Sequence, residues 1–269
     1  MTRDILKIST DERFASALRY IMRRLSTFTK GERISTYISQ KGGRSELVIA
    51  LASLETDAGR KDEHSDVVAV IRKLGHTIVD SIADIIITDC KSHYIETSLK
   101  LPIDDEISKH AFIRALSNFD SEADKTIAKS LIRLTPVFLL DSFYQFMIDD
   151  LKVRWNEVCS LANENACYLV CAGTFRELLR FLISSLESRE NEVHLFERAN
   201  GIEVLTGGLK PVKEVYVNED LPQDIQVVSK LISIAPKKIY LHQDSGETQT
   251  PLINFIQGLF GGCIQVIRN

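Results

Sequence analysis

The clearest hydrophobic pattern in the chain lies between Thr174 and Leu186. Thr174 and Glu177 form a T-x-x-E capping box, which predicts that a helix begins here. Arg176 and Arg180 lie on the polar side of this helix. The apolar positions recur at the three- and four-residue spacing of one buried face: Phe175, Leu178, Leu179, Leu182, Ile183 and Leu186. The pattern therefore predicts an amphipathic helix packed on a core.

A β-hairpin is predicted directly after this helix. Asn200-Gly201 tolerates positive φ at both central positions of a type I′ turn. A two-residue turn at these positions places Arg198 opposite Glu203 on the paired strands. The helix and the hairpin together mark the junction between a helical region and a C-terminal region of mixed pattern.

Residues 1–60 are predicted to be rich in strands around one helix. That helix begins from a cap near Thr10 or Asp11 and carries apolar residues at helical spacing. The polar, aperiodic stretch at residues 55–63 is the best candidate for a linker. Strand-like segments lie at residues 5–8, 34–39 and 46–54, with the hairpin signal Gly42-Gly43 between the last two.

Residues 65–190 are predicted to be almost entirely helical. An apolar stripe runs from Val67 to Ile86, and Gly75 interrupts it as a candidate break. Three further helices are predicted before the helix that begins at Thr174. One follows Pro102 and the acidic run at 104–106, one runs from near Ser121 to Pro136, and one runs from about Asp141 to Val170. The middle of the chain therefore reads as a helical region.

Residues 191–269 alternate between strands and helices. After the hairpin, strands are predicted at 215–217, 238–242 and 264–267, and helices at 225–234 and 251–260. A strand, helix and strand within about thirty residues predicts a right-handed crossover with parallel strands. We therefore expect an α+β fold, in which a large helical middle region is flanked by an N-terminal strand-rich segment and a C-terminal α/β segment. We expect the two end segments to join one mixed sheet.

Length and charge narrow the functional classes. A chain of 269 residues can form one large domain or two small ones. The net charge of -4 argues against a general nucleic-acid binder. No apolar run approaches the roughly 18 residues that a membrane span needs. Asp4 and Lys7 interrupt the stretch that a secretory signal would keep apolar, so a cytoplasmic protein is expected.

The cysteines do not indicate a disulfide framework or a metal centre. The chain has five cysteines, an odd number, and no two of them have the spacing of a disulfide or metal-binding motif. Cys167 and Cys171 lie four residues apart on a predicted helix, which would put two thiolates on one face. We favour the alternative that they are small buried hydrophobic residues, because no matching pair of ligands accompanies them. No metal and no cofactor are therefore expected.

Three arginines are candidate binding residues. Arg176 and Arg180 lie four residues apart on the helix that begins at Thr174, and Arg189 follows at its end. Arginine presents a fork of donors that suits a phosphate or an acidic partner. The alternative, which we favour, is that these side chains pair with acidic neighbours on a solvated face.

Two histidines near strand ends form a second candidate site. His194 lies in the first strand of the hairpin, and His242 lies at the end of the 238–242 strand, followed by Asp244. Ligands of parallel α/β sheets gather beyond the carboxyl ends of the strands, which favours His242 and Asp244 as site residues. The alternative, which we favour, is a loop histidine among turn-forming neighbours.

Two charged clusters receive a structural interpretation. Asp80, Asp84 and Asp89 would hold a divalent ion if they converged in a core, but a solvated helix face is favoured because no E-x-x-H partner is present. A basic patch on the first helix is the candidate nucleic-acid surface, and the acidic balance argues against it. Its residues are Arg13, Arg19, Arg23 and Arg24.

Several ordered segments resemble one protein family. They are FYQFMIDDLKVRW from Phe143, FRELLRFL from Phe175, the strand that opens on Val193-His194, and LISIAPKKIYLH from Leu231. Together these segments are similar to the YtxC-like family, which is associated with sporulation in endospore-forming Firmicutes. The chain departs from the family pattern at residues 163–170 and 187–189, which indicates a divergent member. The resemblance implies a role in sporulation, and it carries no catalytic residue or ligand over to this chain.

Two functions of different class remain. The first is a noncatalytic cytosolic protein of sporulating cells that acts by protein-protein contacts, with an unidentified protein partner and with a homo-oligomer also compatible. The second is a small-molecule- or nucleotide-binding protein, or an enzyme, with its site near His242 and Asp244 at the C-terminal strand ends. We favour the first, because no catalytic motif is present in the sequence.

Overall fold

The structure is a computed structural model, and it describes residues 2–29, 34–52, 62–100, 103–164, 172–198, 201–212, 215–243 and 250–268. Helices occur at α1 (Ala15–Thr29), α2 (Asp62–Ile85), α3 (Lys91–Ser98), α4 (Glu106–Asn118), α5 (Ser121–Leu131), α6 (Leu140–Phe146), α7 (Asp149–Glu164), α8 (Ala172–Ser184), α9 (Gln223–Ile234) and α10 (Pro251–Phe260). Strands occur at β1 (Thr2–Thr10), β2 (Ile34–Lys41), β3 (Arg44–Ala52), β4 (Val137–Leu139), β5 (Glu192–Arg198), β6 (Gly201–Thr206), β7 (Lys238–Gln243) and β8 (Ile264–Arg268). The expected α+β class with a helical middle region is confirmed.

The chain forms two compact units, and each unit is built from two separate stretches of sequence. Unit 1 contains Met1–Ile86 and Glu122–Leu151, and unit 2 contains Ile87–Ser121 and Lys152–Asn269. The described strands form two four-stranded sheets, with the orders β2-β3-β1-β4 and β6-β5-β7-β8. The expectation that the two ends of the chain share one sheet is therefore wrong, because β1 pairs with β4 and not with any C-terminal strand.

In unit 1, a mostly antiparallel sheet packs against α1. The 3₁₀ turn before α1 is capped by Asp11, whose carboxylate accepts a hydrogen bond of 3.1 Å from the backbone N–H of Arg13, which confirms the expected cap. The expected hairpin is formed by β2 and β3, and its turn consists of Gly42 and Gly43, with φ values of 59° and 75°. The core consists of apolar residues from the sheet and two helices, among them Ile8, Leu47, Ile49, Leu18, Ile21, Ile78 and Ile82.

In unit 2, helices pack on one side of the second sheet. Strands β5 and β6 are antiparallel, whereas β5, β7 and β8 run parallel, which confirms the expected parallel pairing across the last helix. The side of the sheet that carries Val193 and Leu241 is buried with apolar residues of α8, α9 and α10. The opposite side carries polar and aromatic residues that are only partly buried.

Several predicted element boundaries are wrong. Helix α8 is already helical at Ala172, so Thr174 lies inside it and does not cap it. The helix expected from Asp141 onward is two helices, α6 and α7. Gly75 does not break α2, which is followed by a π-helical turn at Ile86–Cys90. Residues 215–217 are buried but do not form a strand.

Two expectations concern residues for which little or nothing is described. The predicted linker at 55–63 lies outside the described residues, except for its last two positions, which belong to α2. Cys167 and Cys171 also lie outside the described residues. A structural element that was not expected is β4, a three-residue strand inside the region predicted to be helical.

The register of the β5–β6 hairpin differs from the expected one by two residues. Arg198 pairs with Gly201, and Glu203 lies opposite Phe196. Arg198 still reaches Glu203 diagonally, with 3.7 Å between Nε and Oε2. Gly201 has a φ of 114°, a value that other residues rarely adopt, and this requirement accounts for a glycine at the first position of β6.

Replacing Gly201 with alanine is expected to destabilise unit 2 by about 1–3 kcal/mol. The φ of 114° strains any other residue, and an added Cβ would lie 2.2 Å from the side-chain nitrogen of Gln223. The measurement is urea unfolding followed by fluorescence of Trp155, a buried residue and the only tryptophan of the chain. The control is Gly258→Ala in α10, where the added Cβ meets open space and the helix gains about 0.5–1 kcal/mol. Equal stability of the two variants would contradict the prediction.

Candidate functional site

Two of the predicted site residues meet on the partly exposed side of the unit 2 sheet. In the parallel pairing of β5 with β7, His194 lies opposite Tyr240, and Phe196 lies opposite His242. The two histidines are diagonal neighbours, and Nδ1 of His194 lies 2.8 Å from Nε2 of His242. One ring nitrogen therefore donates a hydrogen bond to the other, with the roles set by the tautomers.

The histidine pair is part of a continuous stack of rings. The rings of Phe196 and His242 are nearly parallel, at 9°, with centroids 4.1 Å apart. His194 stacks between His242 and Tyr240, with centroid distances of 5.1 and 5.0 Å. The Arg198 guanidinium lies 5.1 Å from the centroid of Phe196. Because the ring faces are turned towards one another, this surface is poorly suited to stacking on nucleic-acid bases.

The environment of the pair favours a neutral His242. Partial burial lowers the pKa of His242 below its usual value of 6.5, and the neighbouring His194 lowers the pKa further. Between the folded and unfolded pKa values, the folded state binds fewer protons than the unfolded chain. The contribution of His242 to stability is therefore complete above pH 6.5 and is lost as the pH falls through the folded pKa.

Replacing His194 with asparagine is expected to raise the pKa of His242 towards 6.5, because one of the two causes of the lowered pKa is removed. The measurement is an NMR titration of the His242 ring protons in both proteins. A matched control is His110→Asn, which changes a histidine on α4 that does not contact the pair. An unchanged pKa of His242 in the His194 variant would show that the two rings are not coupled.

The second candidate site is a groove of about 930 Å³, which we call the α8–α10 groove. Its walls are the C-terminal half of α8, the segment between α9 and β7, and the end of α10 with the turn that follows. The residues that carry its chemistry are Arg180, Phe181, Leu186, Lys237, Phe260 and Cys263. The lining contains two cations and no carboxylate, so the groove is apolar with a positive charge.

Arg180 is held in place at this groove. Its Nε donates a hydrogen bond to the carbonyl oxygen of Gly258 in α10. Phe181, the next residue, is 65% exposed although it is a large aromatic side chain. An exposed aromatic residue beside an apolar groove is typical of a binding surface.

The remaining predicted site residues belong neither to the histidine pair nor to the α8–α10 groove. Arg176 is exposed and makes no ion pair or hydrogen bond with the described residues. Arg189 donates a hydrogen bond of 3.2 Å to the Ser121 hydroxyl, and its backbone N–H bonds the Ile234 carbonyl. Asp244 lies outside the described residues. The structure therefore brings His194 and His242 together and places Arg180 in a separate groove.

Sequence reasoning missed a buried ionic cluster in unit 1. Asp84 is buried, and its Oδ2 accepts hydrogen bonds from Tyr20 Oη at 3.0 Å and from Arg24 Nη1 at 2.8 Å. Lys125 Nζ lies 2.6 Å from the other carboxylate oxygen. Burial, with the Asp84 charge, raises the pKa of the Tyr20 phenol. We call these four residues the Asp84 cluster, and it shows that the expected solvated face for Asp84 is wrong.

The signal for this burial was present in the sequence. Asp84 lies within the run IADIII at residues 82–87, which is apolar on every side of a helix. A helix that is hydrophobic all round is buried, so its one acid must be paired. The cluster also engages Arg24, which the sequence placed in a solvent-facing basic patch.

A second buried network, the Arg114 network, lies in unit 2. Arg114 Nε donates to the Ser233 hydroxyl at 2.6 Å, and Nη2 donates to the Tyr216 carbonyl at 2.8 Å. The Tyr216 hydroxyl donates to Asp89 Oδ2 at 3.0 Å. Burial lowers the pKa of Arg114 to about 10, so it stays charged at neutral pH. The expected solvated face is therefore wrong for Asp89 as well.

Burial also dominates the behaviour of Asp89. It raises the pKa of the carboxyl group, against the opposing effects of the Tyr216 hydrogen bond and the nearby Arg114 charge.

No described group of three or more His, Cys, Asp or Glu side chains is arranged to hold a metal ion. None of the described helices has the length and hydropathy needed to cross a membrane.

The chain is similar to known proteins at the level of a family. No curated protein and no solved structure matches it. One family model matches residues 76–265, from the middle of α2 to the start of β8. This range includes the four segments that carry the resemblance described from the sequence. It is most of the chain, and the model is that of the YtxC-like family, so the chain belongs to the YtxC-like family.

Proposed function

We propose that the protein acts in sporulation by binding another protein, and that the α8–α10 groove is its contact surface. Membership of the YtxC-like family supports the sporulation context. The single observation that carries the binding role is the groove itself, a concave apolar surface of about 930 Å³ with an exposed phenylalanine beside it. Apolar grooves of this kind receive one or a few anchor side chains of a partner.

The position of Phe181 supports protein binding in particular. Its side chain is 65% exposed, while its neighbours Leu182 and Ile183 pack into the core. Leaving a phenylalanine in water forgoes about 2 kcal/mol of burial free energy, which a partner recovers on contact. Beside it, the buried residues Leu259 and Phe260 contribute to the apolar lining of the groove.

The test compares two exposed phenylalanines. Phe181→Ala changes the groove, whereas Phe146→Ala changes an equally exposed phenylalanine on α6 in unit 1. We expect a partner crosslinked in sporulating cells to be recovered with the wild-type protein and with Phe146→Ala. We expect about tenfold less recovery with Phe181→Ala, which corresponds to the loss of one anchor. Equal recovery with both variants would count against the groove as the contact surface.

A second candidate function has its own observation. The contact between His194 and His242, which lies on the partly exposed side of the sheet with His242 one residue before the end of β7, supports a small-molecule- or nucleotide-binding site, or an enzyme active site, at that place. The test is a thermal-shift measurement with nucleotides and with Zn²⁺, because a ligand of the native state raises Tm. An increase in Tm that His242→Ala abolishes would support this candidate, and no increase across the panel would remove it.

A further inference from the structure

We propose that the partner segment in the α8–α10 groove is acidic, and that it places a carboxylate on Arg180 and Lys237 beside an apolar anchor. This inference rests on the proposed function of the same groove. Arg180 and Lys237 are the charged residues of the groove lining, and both are exposed. A carboxylate is the group in a protein partner that complements two cations in a lining that contains no carboxylate.

Arg180 is prepared for such a contact. Its Nε is committed to the carbonyl of Gly258, which holds the guanidinium at the rim of the groove. Its two terminal nitrogens make no ion pair or hydrogen bond with the described residues, and they retain the fork geometry that binds both oxygens of a carboxylate. Because the side chain is already held, binding costs less conformational entropy than it would for a free arginine.

Lys237 provides the second charge from the other wall of the groove. Its backbone N–H bonds the Glu190 carbonyl at the entry to β7, which fixes where the side chain begins. Its ammonium makes no ion pair with the described residues. A partner carboxylate can therefore contact the fixed guanidinium of Arg180 and the flexible ammonium of Lys237.

The apolar part of the lining excludes simpler occupants. An inorganic anion would use the two cations but would leave the exposed ring of Phe181 in water. A nucleic acid is disfavoured by the net charge of -4 and by the single exposed aromatic ring at this place. A peptide with an acidic residue next to an apolar residue uses both features of the groove.

The experiment selects binders from a displayed library of random 12-residue peptides, using the full-length chain. Cys263 lines the groove, whereas Cys90 and Cys159 are buried. In a Cys167→Ser, Cys171→Ser background, protection of Cys263 from alkylation therefore reports occupancy of the groove. We expect the protecting peptides to carry Asp or Glu next to an apolar residue.

Affinities of one selected peptide then measure the charge contact. We expect its Glu→Gln form to bind about tenfold more weakly to the wild-type protein. The Arg180→Gln, Lys237→Gln variant should show the same loss and no further loss with the Gln peptide. Arg176→Gln, Lys210→Gln removes the same charge outside the groove and should bind normally.

The outcomes separate the two proposals. Peptides that protect Cys263 but show no preference for acid would overturn the acidic partner and leave the groove as a docking surface. A selection in which no peptide protects Cys263 would count against the groove as a docking surface itself. Weaker binding to the Arg176, Lys210 variant would show that overall charge, and not Arg180 and Lys237, attracts the peptide.

Discussion

Replacing Asp84 with asparagine is expected to lower the free energy of unfolding of unit 1 by about 3–5 kcal/mol. In the folded protein, Asp84 is buried between the cations of Arg24 and Lys125. Asparagine has nearly the same size but no charge, so the variant keeps the packing and removes the carboxylate that lies between two positive charges. The loss is large because removing one partner of a buried ion pair leaves the remaining partners without that compensating charge.

The measurement is urea unfolding followed by far-UV circular dichroism, since the only tryptophan lies in unit 2. The matched control is Asp80→Asn, one helical turn earlier, whose carboxylate pairs with Lys129 at a position that is 39% exposed. An exposed pair is worth about 0–1 kcal/mol, so the control should be close to the wild type. If Asp84→Asn does not fold, Asp84→Asn with Lys125→Gln should recover folded protein, because it removes one excess cation. Equal stability of the Asp84 and Asp80 variants would contradict the prediction.

Replacing Arg114 with methionine is expected to destabilise unit 2 by about 2–6 kcal/mol at pH 8, because each of two buried acceptors left without its donor costs about 1–3 kcal/mol. The methionine fills a similar volume, but the Ser233 hydroxyl and the Tyr216 carbonyl lose their donor. The partly buried Asp89 also loses the nearby positive charge that opposes the effect of burial on its pKa. In the variant this carboxylate keeps the hydrogen bond from Tyr216 but no longer has the Arg114 charge nearby.

This destabilisation should depend on pH. Without Arg114, the pKa of Asp89 rises further above its unfolded value. A carboxyl group with a raised folded pKa destabilises the protein increasingly as the pH rises from the unfolded value through the folded one. The loss should therefore be smaller at pH 5 than at pH 8, and Asp89→Asn in the same chain should restore part of the stability. Trp155 fluorescence during urea unfolding provides the measurement, and a loss that is the same at both pH values would refute the role of Asp89.

Much of the fold was predictable because it depends on local patterns. Apolar spacing and a proline locate α9 and α10, and the pair Gly42-Gly43 locates the first hairpin with its turn. The second hairpin was placed correctly, but its register was not. In the observed register Arg198 pairs with Gly201, whose φ of 114° and close approach to Gln223, a residue distant in the sequence, are not visible in the local pattern.

The candidate site was less predictable because it depends on contacts between distant segments. The sequence placed His194 and His242 on strands, but the 2.8 Å contact between them requires the β5–β7 pairing and its register. Similarly, Arg180 meets Gly258 and the α8–α10 groove only because α8 packs against α10. The burial of Asp84 could be predicted only from the apolar residues that surround it on every side of its helix.

The pairing of β1 with β4 has a consequence for synthesis of the protein. Lys7 pairs with Val137, so one edge of β1 stays without its partner until the ribosome has added about 130 further residues. A nascent sheet of β1, β2 and β3 would have an open edge over that interval, and open edges join other chains. Translation that stalls before Pro136 therefore yields a fragment prone to aggregation, and a nascent-chain chaperone would be most useful over that interval.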